Sequence, residues 1–433
     1  YFIINPIHIV RRGVMTVEYK FPDGFLWGSA TSAFQVEGEC RDHDFYDWAV
    51  QGRIKDGTNP ADAVFFWKNY RKDIDLMKKM NHSAARIGLE WARIEPNEWS
   101  YEDSVLDHYR DILHEMKRNN ISTMVTLHHF SNPMWLASQG GWASSSVIKH
   151  YIRFVKKAVR YLGDLVDIWI TVNEPSVYAT AAYLFGEFPP GEKSMRQTFK
   201  VMKNMADAHV EAYHEIHDIY YQKMWGEPKV GVAKHLRTFD PYNAKNPLDR
   251  LSSGLVKYFF NDYFLKRINR KSTTMDIFGL NYYSGDLVKF PLNLLNREEL
   301  PKNKLGWDIY PEGFYRILQE YYFKYGSPVY ITENGTCDDN DELRPPFILD
   351  HLYQLYRAIE NGVDVAGYYH WSTLDNFELV DGLMSRFGLV HVDHEHPDRK
   401  RTIKKSGKMY GEIAGANGIT EKIIENHVPN WKP

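Results

Sequence analysis

The chain reads as a single-domain α/β protein, a (β/α)8 TIM barrel with its active site at the C-terminal ends of the strands. Three observations predict it. Eight short apolar, β-rich runs occur in order along 433 residues. Segments with helical periodicity lie between them. Residues that carry chemistry gather just past the ends of the runs. Strand–helix alternation of this kind means parallel strands joined by crossover helices, and eight units close into a barrel. Length alone would allow two or three domains, but α/β barrels run long as one. No Ser/Gly-rich linker, low-complexity run or repeat divides the sequence.

The eight runs span 25–30, 84–89, 123–128, 167–172, 230–234, 276–281, 329–332 and 365–370. Helical spacing follows the apolar positions. Tyr70, Ile74, Met77 and Met80 mark 69–80; Ile148, Tyr151, Phe154, Val155, Ala158 and Leu162 mark 147–162. Segments 199–221, 254–268, 313–325 and 347–359 follow the same rule, and a last helix is expected over 402–413. The fifth unit is the least regular. Residues 240–253 are polar, carry Pro241 and Pro247, and read as loop.

A net charge of −3 leaves no broad basic face for nucleic acid. No apolar run reaches membrane-spanning length. The two cysteines, Cys40 and Cys337, demand no disulfide, and a reduced, cytoplasmic chain is the expectation. Residues 1–14 hold a short apolar patch broken by Pro6 and His8, with its positive charges after the patch, a poor signal peptide. They are read as an extension outside the fold and 15–433 as the barrel domain, with Met15 a more natural start. The 12 Trp, 29 Tyr and 23 Phe are an unusually large aromatic complement. Most belong to a core, but aromatic faces also make platforms for the C–H face of sugars.

The predicted strand ends bring together Gln35, Arg86, His128, His129, Asn173, Glu174, Asn281, Tyr282, Tyr283, Glu333 and Trp371, with Asn376 and Glu378 just beyond. Sugar hydroxyls need paired donors and acceptors, which Gln, Asn, His and Glu supply. Two carboxylates flanking a sugar are what glycoside hydrolysis needs. A phosphate-handling barrel would show a Gly-rich turn after strands seven and eight, which Gly335 alone does not make. Two unrelated structural glutamates remain the bland alternative for either motif taken alone.

These motifs resemble family 1 of the glycoside hydrolases, the β-glucosidase/β-galactosidase family, over nearly all of 21–415. The resemblance rests on Phe21-Pro-Asp-Gly-Phe-Leu-Trp-Gly through Gln35-Val-Glu-Gly38, Asn173-Glu-Pro175, Phe278-Gly-Leu-Asn-Tyr-Tyr283, Thr332-Glu-Asn-Gly335, and His370-Trp-Ser-Thr-Leu-Asp-Asn-Phe-Glu378 with Arg386-Phe-Gly-Leu389. It implies that Glu174 is the general acid/base and Glu333 the nucleophile of a retaining exo-β-glycosidase. It also implies that Gln35, His129, Asn173 and Glu378 bind the non-reducing sugar with Trp371 as its floor. Arg86, Asn281 and Tyr283 would support the carboxylates. In such a site the carboxyls stand about 5 Å apart, and the 2-OH contact expected from Asn173 strengthens in the transition state. No cofactor and no metal are expected. The partners are small β-glycosides or short oligosaccharides, with a homo-oligomer compatible.

The family usually carries a second Trp directly after the sugar-binding Glu, where this chain has Leu379. An indole N–H is lost, so loose discrimination at the 3- and 4-hydroxyls is expected, admitting β-galactosides and β-fucosides. The 6-phospho-β-glycosidases of the family replace the sugar-binding Glu and add Ser and Lys; Glu378 is retained and 379–383 offer no Lys. The plant thioglucosidases lack the acid Glu, whereas Glu174 is present. Ser131-Asn132-Pro133 departs from the Trp and Asp that many members carry after this strand, and the stretch before strand six looks abbreviated, which predicts an open aglycone side. A non-catalytic sugar-binding barrel is the rival from another class. A metal lyase or aldolase would need a metal set or a strand-end Lys. His391-Val-Asp-His-Glu-His396 looks metal-like but reads as a polar loop, and Arg41-Asp-His-Asp44 as a solvated one. His128 reads as a supporting residue, and nothing beside Cys337 activates it.

Overall fold

The computed structural model describes residues 9–11, 14–16 and 18–433, with side chains from 18 onward. Eight parallel strands close a barrel: β1 (Leu26–Ala30), β2 (Ala84–Gly88), β3 (Ser122–His128), β4 (Ile168–Asn173), β5 (Val230–His235), β6 (Ile277–Tyr282), β7 (Val329–Asn334) and β8 (Val365–Trp371). Each pairs with its sequence neighbours, and β8 returns to β1 through Gly367–Leu26 to Trp371–Ala30. The register sets the mouth, since it brings Asn281 beside Glu333 and Asn334 beside His370.

Helices follow the strands in turn: α1 (Phe66–Lys79), α2 (Asp103–Arg118), α3 (Val147–Leu162), α4 (Met195–Lys223), α5 (Pro247–Lys257), α6 (Tyr263–Ile268), α7 (Pro311–Tyr325), α8 (Arg344–Glu360) and α9 (Lys405–Ala416). Their apolar stripes pack on the outside of the barrel in one core with residues such as Trp169, Val232 and Phe278. A smaller cluster fills the inside, with Ala30, Ala84, Met124, Ile168, Ile170, Ala233 and Ile277. The small residues leave room beside the larger ones, so the barrel floor is packed and only the mouth is open.

Four departures from the sequence expectation have local causes. Residues 240–253, expected as loop, hold the end of a short strand (Thr238–Pro241) and the first half of α5. Pro247 is the first helical residue, where its missing N–H is no loss, and the Asn246 side chain accepts from Leu248 N. A π-turn, Tyr258–Asp262, then breaks the single helix expected over 254–268 into α5 and α6. At the C-terminal end, Arg401–Ile403 is a strand paired with Val390–Val392, so the last helix starts only at Lys405. Helix α2 lies where no element was assigned; its buried stripe is Leu106, Tyr109, Ile112, Leu113 and Met116, one residue or two per turn in an otherwise polar run.

Residues 1–8 lie outside the described residues. Ile9–Arg11 pairs with Val14–Thr16 as a separate two-stranded ladder that crosses the expected 14/15 boundary. The following strand, Glu18–Lys20, pairs with Gly418–Thr420 and closes the N-terminal side of the domain. Among the described residues no helix is long and apolar enough to cross a membrane. Both cysteines are unpaired.

Candidate active site

The site is built around Arg86 on β2, a guanidinium with no solvent contact. Its Nε donates to Thr126 Oγ1 on β3 (2.9 Å), Nη1 to Glu333 Oε1 on β7 (2.5 Å) and to Thr332 O (3.3 Å), and Nη2 to Asn173 Oδ1 on β4 (2.7 Å). One planar fork therefore ties four strands together and fixes the direction of one carboxylate. Tyr283, one residue past β6, donates its hydroxyl to the other oxygen, Glu333 Oε2, at 2.7 Å.

Glu174 sits one residue past β4 with φ 45°, a left-handed conformation unusual for a residue with a Cβ. Pro175 starts the next helix, and Glu174 N donates across to Ala233 O on β5 at 2.7 Å. Asn281 Nδ2 donates to Glu174 Oε1 (2.8 Å) and to Asn173 Oδ1 (3.2 Å). Its own direction is set by Thr332, whose hydroxyl donates to Asn281 Oδ1 at 2.6 Å. A hydrogen-bond path thus runs from Glu174 through Asn281, Asn173 and Arg86 to Glu333.

The electrostatics of the two carboxyls differ. Burial, with the charge of Glu333 second, pushes Glu174 up to about 8. Burial raises Glu333 as well, against the opposing pull of Arg86 and the Tyr283 hydroxyl. Only Glu333 has both a cation and a phenol to stabilise its ionised form.

Around the carboxyls the fold leaves polar atoms free toward the cleft. Asn173 Oδ1 is taken by Arg86 and Asn281, so its amide nitrogen faces His129 Nε2 at 2.9 Å. That contact fixes Nε2 as the acceptor and Nδ1 as the protonated nitrogen, and His129 Nδ1 is buried without a partner among the described residues. Gln35 spends its nitrogen on Asn376 Oδ1 (3.1 Å) and Phe377 O (2.9 Å), which leaves Oε1 as an acceptor. Trp371 Nε1 donates to Glu378 Oε2 at 3.3 Å, and burial pushes Glu378 up to about 8.

A cleft of about 890 Å³ opens over this floor, lined by Gln35, His129, Glu174, Tyr283, Glu333, Trp371 and Glu378. Of the ten residues expected from sequence, seven face it. Arg86, Asn173 and Asn281 are fully buried behind the carboxyls and do not line it.

Other lining residues were not singled out as site residues by the sequence, although Phe387 lies within the Arg386–Leu389 segment. Trp307 and Phe387 stand beside the Tyr283 ring at centroid separations of 5.8 and 6.4 Å. Trp307 follows Gly306 in a polar stretch, which is the only hint the sequence offered. His235, at the end of β5, places Nδ1 3.6 Å from Glu174 Oε1. Lys234 is a strand-end lysine that the sequence reading passed over. Its ammonium is spent on two backbone carbonyls, His235 O (2.6 Å) and Phe260 O (2.8 Å).

Two further expectations change. His43 and Asp44 are buried rather than solvated; Asn132 donates its backbone N–H to Asp44 Oδ1 (2.9 Å) and its amide to Asp44 Oδ2 (2.8 Å). The loop after β3 is thereby pinned under Phe130. Trp142 Nε1 donates to His128 Nε2 and to Asn132 Oδ1, both at 3.0 Å, and His128 is buried in a supporting position. His391 belongs to the strand Val390–Val392 and turns Nδ1 to Asp375 Oδ2 at 3.3 Å.

Residues 17–273 and 266–419 match Glycosyl hydrolase family 1. The chain belongs to that family and is an O-glycosyl hydrolase. It is 32% identical to a 1,4-beta-D-glucan glucohydrolase of Thermotoga neapolitana over 93% of this chain and 100% of that one. It is 29% identical to a beta-galactosidase of Saccharolobus solfataricus over 96% of this chain and 99% of that protein. Among solved structures, a beta-glycosidase from Pyrococcus horikoshii superposes with a TM-score of 0.88 at 33% identity, covering 95% of this chain and 98% of the other.

Proposed function

We propose that this glycosidase is a retaining exo-β-glycosidase, a β-glucosidase that also accepts β-galactosides and β-fucosides. The observation that carries the reading is the unequal setting of the two carboxyls. Glu333 is held by a cation and a phenol, whereas Glu174, as deeply buried, is held by one amide. A Glu333 oxygen attacks the anomeric carbon as the bond to the aglycone oxygen breaks, and Glu174 gives that oxygen its proton. Glu174, now a carboxylate, takes a proton from water as the water oxygen attacks the same carbon and Glu333 leaves. Two inversions return the β-configuration. A sugar hydroxyl in place of water gives transglycosylation.

In this reading the sugar lies on Trp371, with Gln35 Oε1, His129 Nδ1 and Glu378 serving its hydroxyls. Burial keeps Glu378 poor in hydrogen-bond donors until hydroxyls arrive, which suits a site waiting for a polyol. The 6-phospho alternative fits less well. Asp381 at this rim is paired with Lys55, whose ammonium lies 2.6 Å from Asp381 Oδ1, and a phosphoryl group there would also face Glu378. A binding barrel without turnover would have no use for the Arg86–Glu333 pair, since a buried charge pair of this kind is costly to keep for stability alone.

Initial rates on aryl β-glucoside, galactoside, fucoside, mannoside and 6-phosphoglucoside test the reading. Turnover on the neutral sugars is expected, with Glu333→Ala slower by at least about ten-thousandfold. Turnover on the phosphorylated sugar alone would assign the Glu378 rim to a phosphate. Near-normal rates for Glu333→Ala would end the two-glutamate scheme.

A further inference from the structure

We propose that Lys234 is a positioning residue of the reaction, a buried counter-charge for the carboxylate that Glu174 becomes once it has given up its proton. The inference deepens the retaining-glycosidase reading and rests on it. Lys234 is the penultimate residue of β5, and its side chain has no solvent contact. A lysine is almost never fully buried unless it is paired. Here both hydrogen-bond partners of the ammonium are neutral carbonyls, His235 O (2.6 Å) and Phe260 O (2.8 Å). Phe260 lies in the π-turn Tyr258–Asp262, and Asn261 of that turn donates its amide to Arg237 O at 2.8 Å. The turn and the end of β5 are thus tied together, which fixes where the charge sits without neutralising it. Glu174 N donates to Ala233 O, the carbonyl of the residue before Lys234. The cation and the acid/base therefore stand at adjoining positions of one strand pair.

The first half of the reaction moves negative charge across the site. At the start Glu333 is the anion and Arg86 lies against it. When a Glu333 oxygen bonds to the anomeric carbon, that carboxylate becomes a neutral ester. The electron pair of the broken bond goes to the leaving oxygen, which takes the Glu174 proton, and Glu174 is left as the anion. Arg86 stays on the Glu333 side, held by Thr126, Thr332 O and Asn173. At Glu174 the fold supplies one amide, from Asn281, which is little for a buried carboxylate. His235 adds no charge, although its Nδ1 is 3.6 Å away, because burial and the charges of Arg237 and Lys234 keep the ring neutral. Arg237 is matched to Asp286, and Lys324 to Asp262. That leaves Lys234. Burial and the charge of Glu333 raise the proton affinity of Glu174, while Asn281, Lys234 and Arg86 pull it back. The effect is mutual. Burial favours the neutral amine of Lys234 and the charge of Glu174 opposes it, so the ammonium is held most firmly once Glu174 is ionised. A fixed charge aimed where charge develops lowers the barrier without having to reorganise.

The test is kcat/KM for aryl β-glucosides whose leaving groups run from 2,4-dinitrophenol, which departs without a proton, to phenol, which needs one. Lys234→Gln keeps a donor for the carbonyls and removes the charge. It is expected to slow the phenyl glucoside at least about tenfold more than the dinitrophenyl one, a share of the roughly 100- to 10,000-fold that a positioned acid brings. Lys234→Arg, which keeps the charge, is expected to bring the phenyl-to-dinitrophenyl ratio back toward that of the unsubstituted enzyme. In a Glu174→Ala background Lys234→Gln is expected to leave that ratio where it was. Equal losses on both glucosides with a lowered melting temperature, the mark of a structural role alone, overturn the inference, and so does an unchanged ratio. If Lys234→Gln does not fold, the NMR shift of Lys234 Cε in the unsubstituted enzyme, trapped as its 2-deoxy-2-fluoroglucosyl ester, decides. An ammonium shift supports the counter-charge, and the shift of a neutral amine overturns it. An unsubstituted enzyme silent on every aryl glucoside overturns the glycosidase reading itself, an outcome separate from all of these.

Discussion

Arg86 shows how much one side chain can decide. Its donors reach Thr126, Thr332, Glu333 and Asn173, a set no point charge can satisfy together. Arg86→Lys is therefore expected to lower kcat by at least about 100-fold while the fold survives. The sign of the pH effect is fixed as well. In the proposed mechanism Glu333 must be ionised to attack; Arg86 lowers its proton affinity, so weakening that contact is expected to move the acid limb of kcat/KM to higher pH. An acid limb that stays in place would separate Arg86 from the titration of Glu333. On the basic side, loss of the Glu174 proton near about 8 is expected to close the profile.

Leu379 is the second residue whose effect can be isolated. Its backbone is left-handed, with φ 53°, and its side chain lines the cleft beside Glu378. Leu379→Trp restores an indole donor at a position whose backbone already tolerates a large side chain. The glucoside-to-galactoside ratio in kcat/KM is expected to rise by up to about tenfold, the worth of one neutral hydrogen bond. An unchanged ratio would mean that position 379 does not read the sugar.

At the scale of elements, the segment Thr332–Gly335 explains itself through its neighbours. Thr332 orients Asn281, Glu333 faces the cleft, and Asn334 joins β6 to β8 by donating to Tyr282 O (2.6 Å) and accepting from Tyr368 Oη (2.8 Å). Gly335 is required by space: a Cβ there would lie 1.9 Å from Trp371 O. Gly335→Ala must push the ends of β7 and β8 apart. The expected cost is about 1–3 kcal/mol in denaturant unfolding, with a larger proportional loss in kcat because Trp371 and Glu333 separate. The loop after β3 obeys the same logic through Asn132, whose amide donates to Asp44, Phe130 O and Tyr178 Oη. That loop sets Phe130 and His129 at the cleft although its sequence departs from the usual family pattern.

The whole molecule carries a pH signature of its own. Burial pushes Glu90, Glu174 and Glu378 up to about 8 and Asp44 up to about 7. The folded state binds more protons than the unfolded chain from about pH 4 to about pH 8, so these groups lower stability as pH rises through that window. Buried histidines act in the opposite direction. His43, His82 and His351 are lowered to about 3, and His128 and His209 to about 4, against an ordinary 6.5. There the unfolded chain binds more protons, so stability rises with pH and the gain is complete near 6.5. Lys234, lowered to about 7, opposes the carboxyls above that pH, one group against three. The melting temperature is expected to peak near pH 6.5 and to fall on both sides. A melt that climbs steadily from pH 6.5 to 8 would show that the buried carboxyls do not titrate as described.

The order of strands, their closure and the seven expected residues that line the mouth were legible because each depends on local pattern. Alternating β-rich and helical runs specify crossovers, and a polar residue after an apolar run marks a strand end. The sequence by itself therefore determined the barrel and the family, and it singled out the two glutamates on which the proposed mechanism rests. Only the tertiary structure decided how unequally the two carboxyls are held, because that depends on Arg86 and Tyr283 arriving from β2 and β6 at opposite oxygens of Glu333. It also decided that Arg86, Asn173 and Asn281 lie behind the cleft rather than in it, and that loops after β4, β5 and β6 merge into one apolar wall. Both are matters of which distant residues meet and how far water is excluded between them, and no local pattern along the chain encodes either.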